Sequence, residues 1–325
     1  MRIPLDGRKA EMTSAAGDHT LREDVVRGLL ADPKTLPPKL FYDQAGAALF
    51  ETICTLPEYY LTTAEQEILA ASAGAIAARA GAECALLEYG SGAGVKVRLL
   101  LDAMTRPAAY VPIDISAEQL ERVAREIAGE YPTVAVRPVC ADYTRPVTLP
   151  PLAGASRRVA FFPGSTIGNF QPVEAAAFLR RIRRTVGNTG ALVLGIDRVK
   201  PVDVLDAAYN DAAGVTAAFN LNMLAHINRE FGGNFRLDRF RHRAFFNLAE
   251  SRIEMHLVSV VPQVMRVAGI EVEFGAGETI WTESSYKYDE LHLGELIDAA
   301  GFRMVERWTD VRERFWVVYL EPATS

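Results

Sequence analysis

Glu88, Gly90, Gly92 and Gly94 alternate through the stretch ALLEYGSGAGVK, which runs from Ala85 to Lys96 at the end of a short apolar run. An acidic residue followed by alternating glycines suits a nucleoside-bearing ligand. Glycine lets the backbone pass close beneath such a ligand, where a Cβ would collide. The dinucleotide spacing G-x-G-x-x-G would need a glycine at position 95, and this chain carries Val95. Asp114 follows about twenty residues beyond the glycines, where a carboxylate can accept both ribose hydroxyl hydrogens. Asp142 and Tyr143 suit an adenine, the carboxylate taking its exocyclic amine and the tyrosine lying alongside. Lys96 opens the helix after the glycines, where a cation and a helix N-terminus both favour a ligand carboxylate. Asn169, in the segment FFPGSTIGNF, offers both an acceptor and a donor, so one side chain can hold an amine and a carboxylate oxygen. Each also has a plainer reading. Asp114 can cap a helix, Asp142 and Asn169 can form turns, and Lys96 can be a solvated lysine.

These residues need a scaffold that places them together, and the middle of the chain supplies one. Short apolar runs at Ala85–Tyr89, Tyr110–Ile113, Thr133–Val139, Arg158–Phe162 and Ala191–Ile196 alternate with amphipathic segments at Lys96–Met104, Ala117–Glu130 and Val173–Val186. That alternation predicts an α/β fold with a doubly wound parallel sheet. Ligands of such sheets bind at the carboxyl ends of the strands. The glycine turn, Asp114, Asp142 and the Pro163–Asn169 turn all fall there. Asp289–Ala300, FRMVERWTD and ERFWVVYLEP predict a closing helix and two final strands. Val199–Lys287 is too long for a loop. It carries a helical segment over Val202–Phe231 and strand-like runs at Phe245–Leu248, Arg252–Val261 and Glu271–Phe274, which predicts an inserted α+β substrate lobe. The expected divisions are therefore 1–72, a helical segment packing with that lobe; 73–198, the ligand-binding sheet; 199–287, the lobe; and 288–325, the closing elements.

Composition narrows the function classes. The chain has 325 residues, is 49% hydrophobic and carries a net charge of −6. No basic face is implied, so nucleic acid is not an expected partner. Cys54, Cys84 and Cys140 lie far apart without metal-ligand spacing, as expected of a cytoplasmic protein with reduced thiols and no metal. The five histidines form no ligand motif; His226, His242 and His256 read as packed or surface residues. No apolar stretch approaches the ~20 residues of a membrane helix, so no membrane partner is expected. The first residues, MRIPLDGRKAEMTS, lack the apolar core of a signal peptide and read as a loose tail. The expected state is a monomer.

The glycine motif resembles the first motif of class I S-adenosylmethionine (SAM) methyltransferases. Longer motifs are more specific. FYDQAGAALFETICTLPEYYLTTAEQEIL (Phe41–Leu69), VPIDIS, CADYT, FFPGSTIGNF, YNDAAGVTAAFNLNMLAHINRE (Tyr209–Glu230), FRHRAFFN, SRIEMHLVS and ETIWTESSYKY (Glu278–Tyr288) together resemble the histidine Nα-methyltransferases of ergothioneine biosynthesis. The resemblance covers nearly the whole chain from about Leu36 onward. It implies a class I, Rossmann-like methyltransferase fold with an inserted substrate-binding domain. It also implies three methylations of the α-amine of L-histidine, giving hercynine and S-adenosyl-L-homocysteine.

Carried over by resemblance, Tyr59, Asn169 and Tyr209 surround the amino and carboxylate end of the substrate. Glu283 and Ser285, with Ser284 between them, hold the imidazole, and Met255 lines the pocket. Glu283 and Ser285 share a side if the run is extended. The cofactor residues implied are Tyr42, Gly90, Ser91, Lys96, Asp114, Asp142 and Tyr143. Two departures stand out. The loop here is GSGAGVKVR, where many relatives carry a serine-rich loop ending K-T-R, and Trp281 stands where histidine is common. In-line methyl transfer needs a neutral amine well aimed at the methyl group, which requires no strong general base. Tyrosine hydroxyls could pass the released proton toward water. Two other readings are a related enzyme acting on a tryptophan-type amine, and a SAM-binding sensor without an acceptor. Glu283 with Met255 speaks against the first, and the intact strand-four and lobe motifs against the second.

Overall fold

The computed structural model describes residues 21–323; the expected N-terminal tail lies outside the described residues. In chain order the elements begin with α1 (residues 21–29), β1 (Lys34–Thr35), α2 (Gln44–Ile53), α3 (Tyr60–Ala80), β2 (Ala85–Tyr89) and α4 (Val95–Ala103). There follow β3 (Ala109–Asp114), α5 (Ala117–Glu130), β4 (Ala135–Val136), β5 (Val139–Cys140), β6 (Arg158–Phe162), α6 (Pro172–Val186) and β7 (Ala191–Asp197). The chain continues through α7 (Val202–Tyr209), α8 (Val215–Phe231), β8 (Phe240–Asn247), β9 (Arg252–Ser259), β10 (Gln263–Val267) and β11 (Ile270–Phe274). It closes with β12 (Thr279–Tyr286), α9 (Glu290–Ala300), β13 (Phe302–Thr309) and β14 (Phe315–Pro322).

The chain divides into two compact units. The second comprises Tyr60–Val202, Asn247–Arg252 and the described residues from Ser284 onward. Its sheet has the order β13-β14-β7-β6-β2-β3-β4, with β5 also pairing with β3. β2 runs parallel to both β3 and β6, and β6 parallel to β7, while β14 is antiparallel to β7 and β13. Every residue of β2 and β7 is buried, as expected of central parallel strands covered on both faces. Leu87, Val111, Phe162, Leu194 and Val318 join α6 and α9 side chains in one core. α5 buries Leu120, Val123, Ala124 and Ile127, an apolar stripe at helical spacing.

The first unit comprises the described residues up to Tyr59, with Asp203–Phe246 and Ile253–Glu283. α2 packs on α8. Asp43 caps α2 by accepting from the Gly46 amide at 2.7 Å, and it also accepts from Asn222 and Arg229 of α8 at 2.8 and 2.7 Å. Phe41 stacks on Phe219 with ring centroids 4.4 Å apart. A four-stranded sheet has the order β1-β12-β9-β8. β10 and β11 form a hairpin whose two-residue turn, Ala268-Gly269, has φ of 53° and 86°. Positive φ at both positions is the turn whose twist suits a two-residue hairpin.

Several expectations need correction. The division expected at residue 72 falls inside α3, a continuous helix that packs on α4, β14 and β7 of the second unit. Residues 199–202, 247–252 and 284–287 also belong to that unit, so the lobe is interrupted and the division falls within β12, between Glu283 and Ser284. The helix expected over Val202–Phe231 is two helices. Asp211 breaks it, its carboxylate accepting from the Val215 and Thr216 amides at 2.8 Å each to cap α8. The third strand expected at Thr133–Val139 is two short strands, β4 and β5.

Candidate active site

In the second unit the glycine loop joins β2 to α4. Gly90, Gly92 and Gly94 have φ of 77°, 47° and 70°, a region that L side chains rarely adopt. Their surroundings differ. A Cβ on Gly94 would lie 2.7 Å from Val123, so this glycine allows α5 to approach. A Cβ on Gly92 would meet nothing within 4 Å, leaving space above the loop. Asp114 ends β3 and accepts from the Gly92 amide at 3.3 Å and the Ser116 amide at 3.1 Å. Glu88 is buried and accepts from Tyr110. Burial pushes its pKa up to about 8, only partly opposed by the Tyr110 hydrogen bond and Lys96.

Asp142 accepts from the Thr144 amide at 2.9 Å and its hydroxyl at 2.5 Å, closing a tight turn. The Tyr143 ring packs edge-on against Tyr89 and Phe162, and it lies 3.7 Å from where a Gly90 Cβ would stand. Lys96 is paired with Glu65 of α3 and is not the solvated lysine of its plainer reading. Asn169 ends the short turn Thr166–Asn169 after β6 and is half-buried. Beside it Gly168 must stay small, since a Cβ there would lie 2.7 Å from the Tyr286 carbonyl. Ser284 and Ser285 are buried near the end of β12, and the Ser285 hydroxyl accepts from Lys287 at 2.9 Å. Behind them lies a network with no signal in the sequence. Buried Asp197 receives Lys200 at 2.5 Å, Lys287 at 2.8 Å and the Tyr60 hydroxyl at 2.8 Å.

The first unit gathers a different set. Tyr59 meets Tyr209 edge-on at 6.1 Å and Phe50 at 6.3 Å. Burial, then the neighbouring Tyr209, Cys54 and Glu283, push the Tyr59 hydroxyl well above its ordinary pKa. It therefore stays a neutral phenol. Glu283 lies on β12, its carbonyl accepting from the Trp281 indole at 2.9 Å. The run is extended, so Glu283 and Ser285 share a face. Buried Met255 lies on β9, its carbonyl accepting from Thr282 at 3.0 Å. Tyr42 is exposed, with its ring edge-on to Phe41 and Phe50. The three histidines pack in this unit. His226 bonds the Leu40 carbonyl, His242 the Tyr209 carbonyl, and His256 stacks between Phe245 and Trp281.

The second unit alone offers a fit for a nucleoside with a charged tail. The Ser91 hydroxyl is buried in the loop without a hydrogen-bond partner, Gly92 leaves open space, and Asp114 stands at the next strand end. Parallel strands with a glycine loop and an acidic second strand end, closed by antiparallel β14, define a class I SAM-dependent methyltransferase fold. The comparisons with known proteins narrow that class. Residues 21–322 match the family model described as "Histidine-specific methyltransferase, SAM-dependent". The chain is 44% identical to histidine N-alpha-methyltransferase of Mycolicibacterium smegmatis, over 89% of this chain and 91% of that one. It is 43% identical to histidine N-alpha-methyltransferase of Mycobacterium tuberculosis, over 91% and 92%. Ergothioneine biosynthesis protein 1 of Neurospora crassa is 30% identical over 85% of this chain and 32% of its own length. The chain belongs to the histidine-specific, SAM-dependent methyltransferase family. Among the described residues no group of three or more His, Cys, Asp and Glu is placed to hold a metal, and no helix is long and apolar enough to cross a membrane.

Proposed function

We propose that the protein methylates the α-amine of L-histidine three times, giving hercynine, as a step in making ergothioneine. S-adenosylmethionine supplies a methyl group on an electron-poor sulfonium. In the second unit Gly90, Ser91, Lys96, Asp114, Asp142 and Tyr143 are the residues we assign to that donor; in the first unit we add Tyr42. For histidine we assign Tyr59, Tyr209, Met255 and Glu283 of the first unit, and Asn169, Ser284 and Ser285 of the second.

The reading is carried by one observation: a carboxylate, Glu283, beside the neutral phenol pair Tyr59 and Tyr209, in a chain of this family. A phenol oxygen accepts an amine N–H without adding charge, which leaves the nitrogen lone pair aimed elsewhere. Such positioning supplies ~7–11 kcal/mol of a barrier. Glu283 accepts an imidazole N–H, and a site built for that bond disfavours ligands that lack the donor. The free cysteines Cys54, Cys84 and Cys140 suit a reducing, cytoplasmic setting.

Mass spectrometry of products from purified protein, S-adenosylmethionine and an amino-acid panel tests the proposal. Trimethylated histidine is expected, with none from tryptophan. Methylated tryptophan without a histidine product would overturn it in favour of a tryptophan-type acceptor.

A further inference from the structure

Glu65 of α3 is completely buried, a costly place for a carboxylate unless it is paired and hydrogen-bonded. The Gly164 amide donates to it at 3.0 and 2.8 Å, and the Lys96 ammonium, 31 residues along the chain, donates to Oε2. A glycine makes the room: a Cβ on Gly195 of β7 would lie 2.1 Å from Glu65 Oε1, while Gly164, whose amide binds Glu65, has a φ of 78°. Thus α3, the turn after β6, the middle of β7 and the first turn of α4 converge on one side chain. Apolar packing gives no reason to bury a carboxylate there.

We propose that Glu65 is a positioning residue for the methyl donor, fixing the Lys96 ammonium so that its remaining N–H groups face the donor's carboxylate. The inference rests on the role assigned above to Lys96. An ammonium carries three donors; Glu65 takes one and leaves two. A free lysine would lose its rotamer freedom only when the ligand arrives. Here that loss falls on folding, and binding is the tighter for it.

Calorimetry with two ligands tests this. S-adenosylhomocysteine carries the amino-acid end, and methylthioadenosine lacks it. Lys96→Met is expected to weaken S-adenosylhomocysteine about tenfold, the loss of a charge-assisted contact, and to leave methylthioadenosine unchanged. Glu65→Gln is expected to do the same, and the double variant to bind no worse than Lys96→Met alone. Glu65→Asp, which keeps the charge and shortens the reach, should show the same selective loss. If Lys96→Met is not selective, the role of Lys96 fails and the inference falls with it. If Lys96→Met is selective but the Glu65 variants weaken both ligands equally, weaken neither, or add to Lys96→Met, Lys96 keeps its role and the inference about Glu65 is overturned.

Discussion

The polar groups assigned to the ligands differ in kind between the two units. The second buries full charges and compensates them: Glu65 with Lys96, and Asp197 with Lys200 and Lys287. The first presents neutral phenols, Tyr59 and Tyr209, around a half-buried carboxylate, Glu283. The difference matches the tasks proposed for them. A donor with a charged amino-acid tail is gripped best by fixed charges and backbone N–H groups. An amine that must stay neutral is held best by groups that hydrogen-bond without adding charge.

The largest expected effect attacks the compensated charges. Burial works against the Asp197 carboxylate, but Lys287 and Lys200 overcome it and hold its pKa below the ordinary value. Burial in turn brings Lys200 down to about 8, opposed by Asp197. Asp197→Ala strands two buried ammonium groups and should destabilise the protein by about 3–5 kcal/mol in chemical denaturation. A loss below about 1 kcal/mol would show that the lysines find other partners, and the contrast between the units would weaken.

Glu283→Ala should come next, acting on substrate and not on fold. Losing a charge-assisted hydrogen bond of about 1.5–3 kcal/mol predicts a rise in KM for histidine of roughly ten- to a hundredfold. Selectivity over phenylalanine should shrink by a similar factor. Unchanged histidine affinity in calorimetry would remove Glu283 from the acceptor set and leave the first unit without its specificity element.

The glycines sharpen the comparison further, because they separate fold from ligand inside one loop. Gly94→Ala combines a positive φ with a Cβ 2.7 Å from Val123 and should cost about 1–3 kcal/mol of stability. Gly92→Ala, with open space above it, should cost only about 1 kcal/mol of stability while weakening S-adenosylhomocysteine binding more than Gly94→Ala does. The reverse ranking in thermal melts and calorimetry would mean that Gly92 does not border the ligand.

The same contrast explains what the sequence could reveal. Glycines with positive φ and acids at strand ends are local devices, so the loop at Gly90–Gly94 and Asp114 could be read from spacing alone. Period and burial likewise made β2, β3, β6 and β7 legible. The first unit is built from side chains brought together by the chain's path. Tyr59, Tyr209 and Glu283 have no fixed spacing, and only resemblance to a family pointed to them. Glu65 and Lys287 escaped both routes. A buried carboxylate on a helix looks like any surface glutamate until Gly195 is seen to make room for it. The α7–α8 break was hidden because its one glycine, Gly214, lies alone in an otherwise helical run; its φ of 72° and the carboxylate of Asp211, turned back on the Val215 and Thr216 amides, separate the two helices.

The smallest predicted effect tests whether the acceptor side is as preorganised as the donor side. The Trp281 indole donates to the Glu283 carbonyl along the same strand, while its ring stacks on His256 at 6.0 Å. Trp281→Phe keeps an aromatic ring and removes one neutral hydrogen bond, a loss near 0.7 kcal/mol and about threefold in KM for histidine. If the bond only orients Glu283, kcat should stay unchanged, because the same contact is made in ground and transition states. A fall in kcat with KM unchanged would place the indole's influence on the reacting amine, and the imidazole grip would then have to be rigid without it.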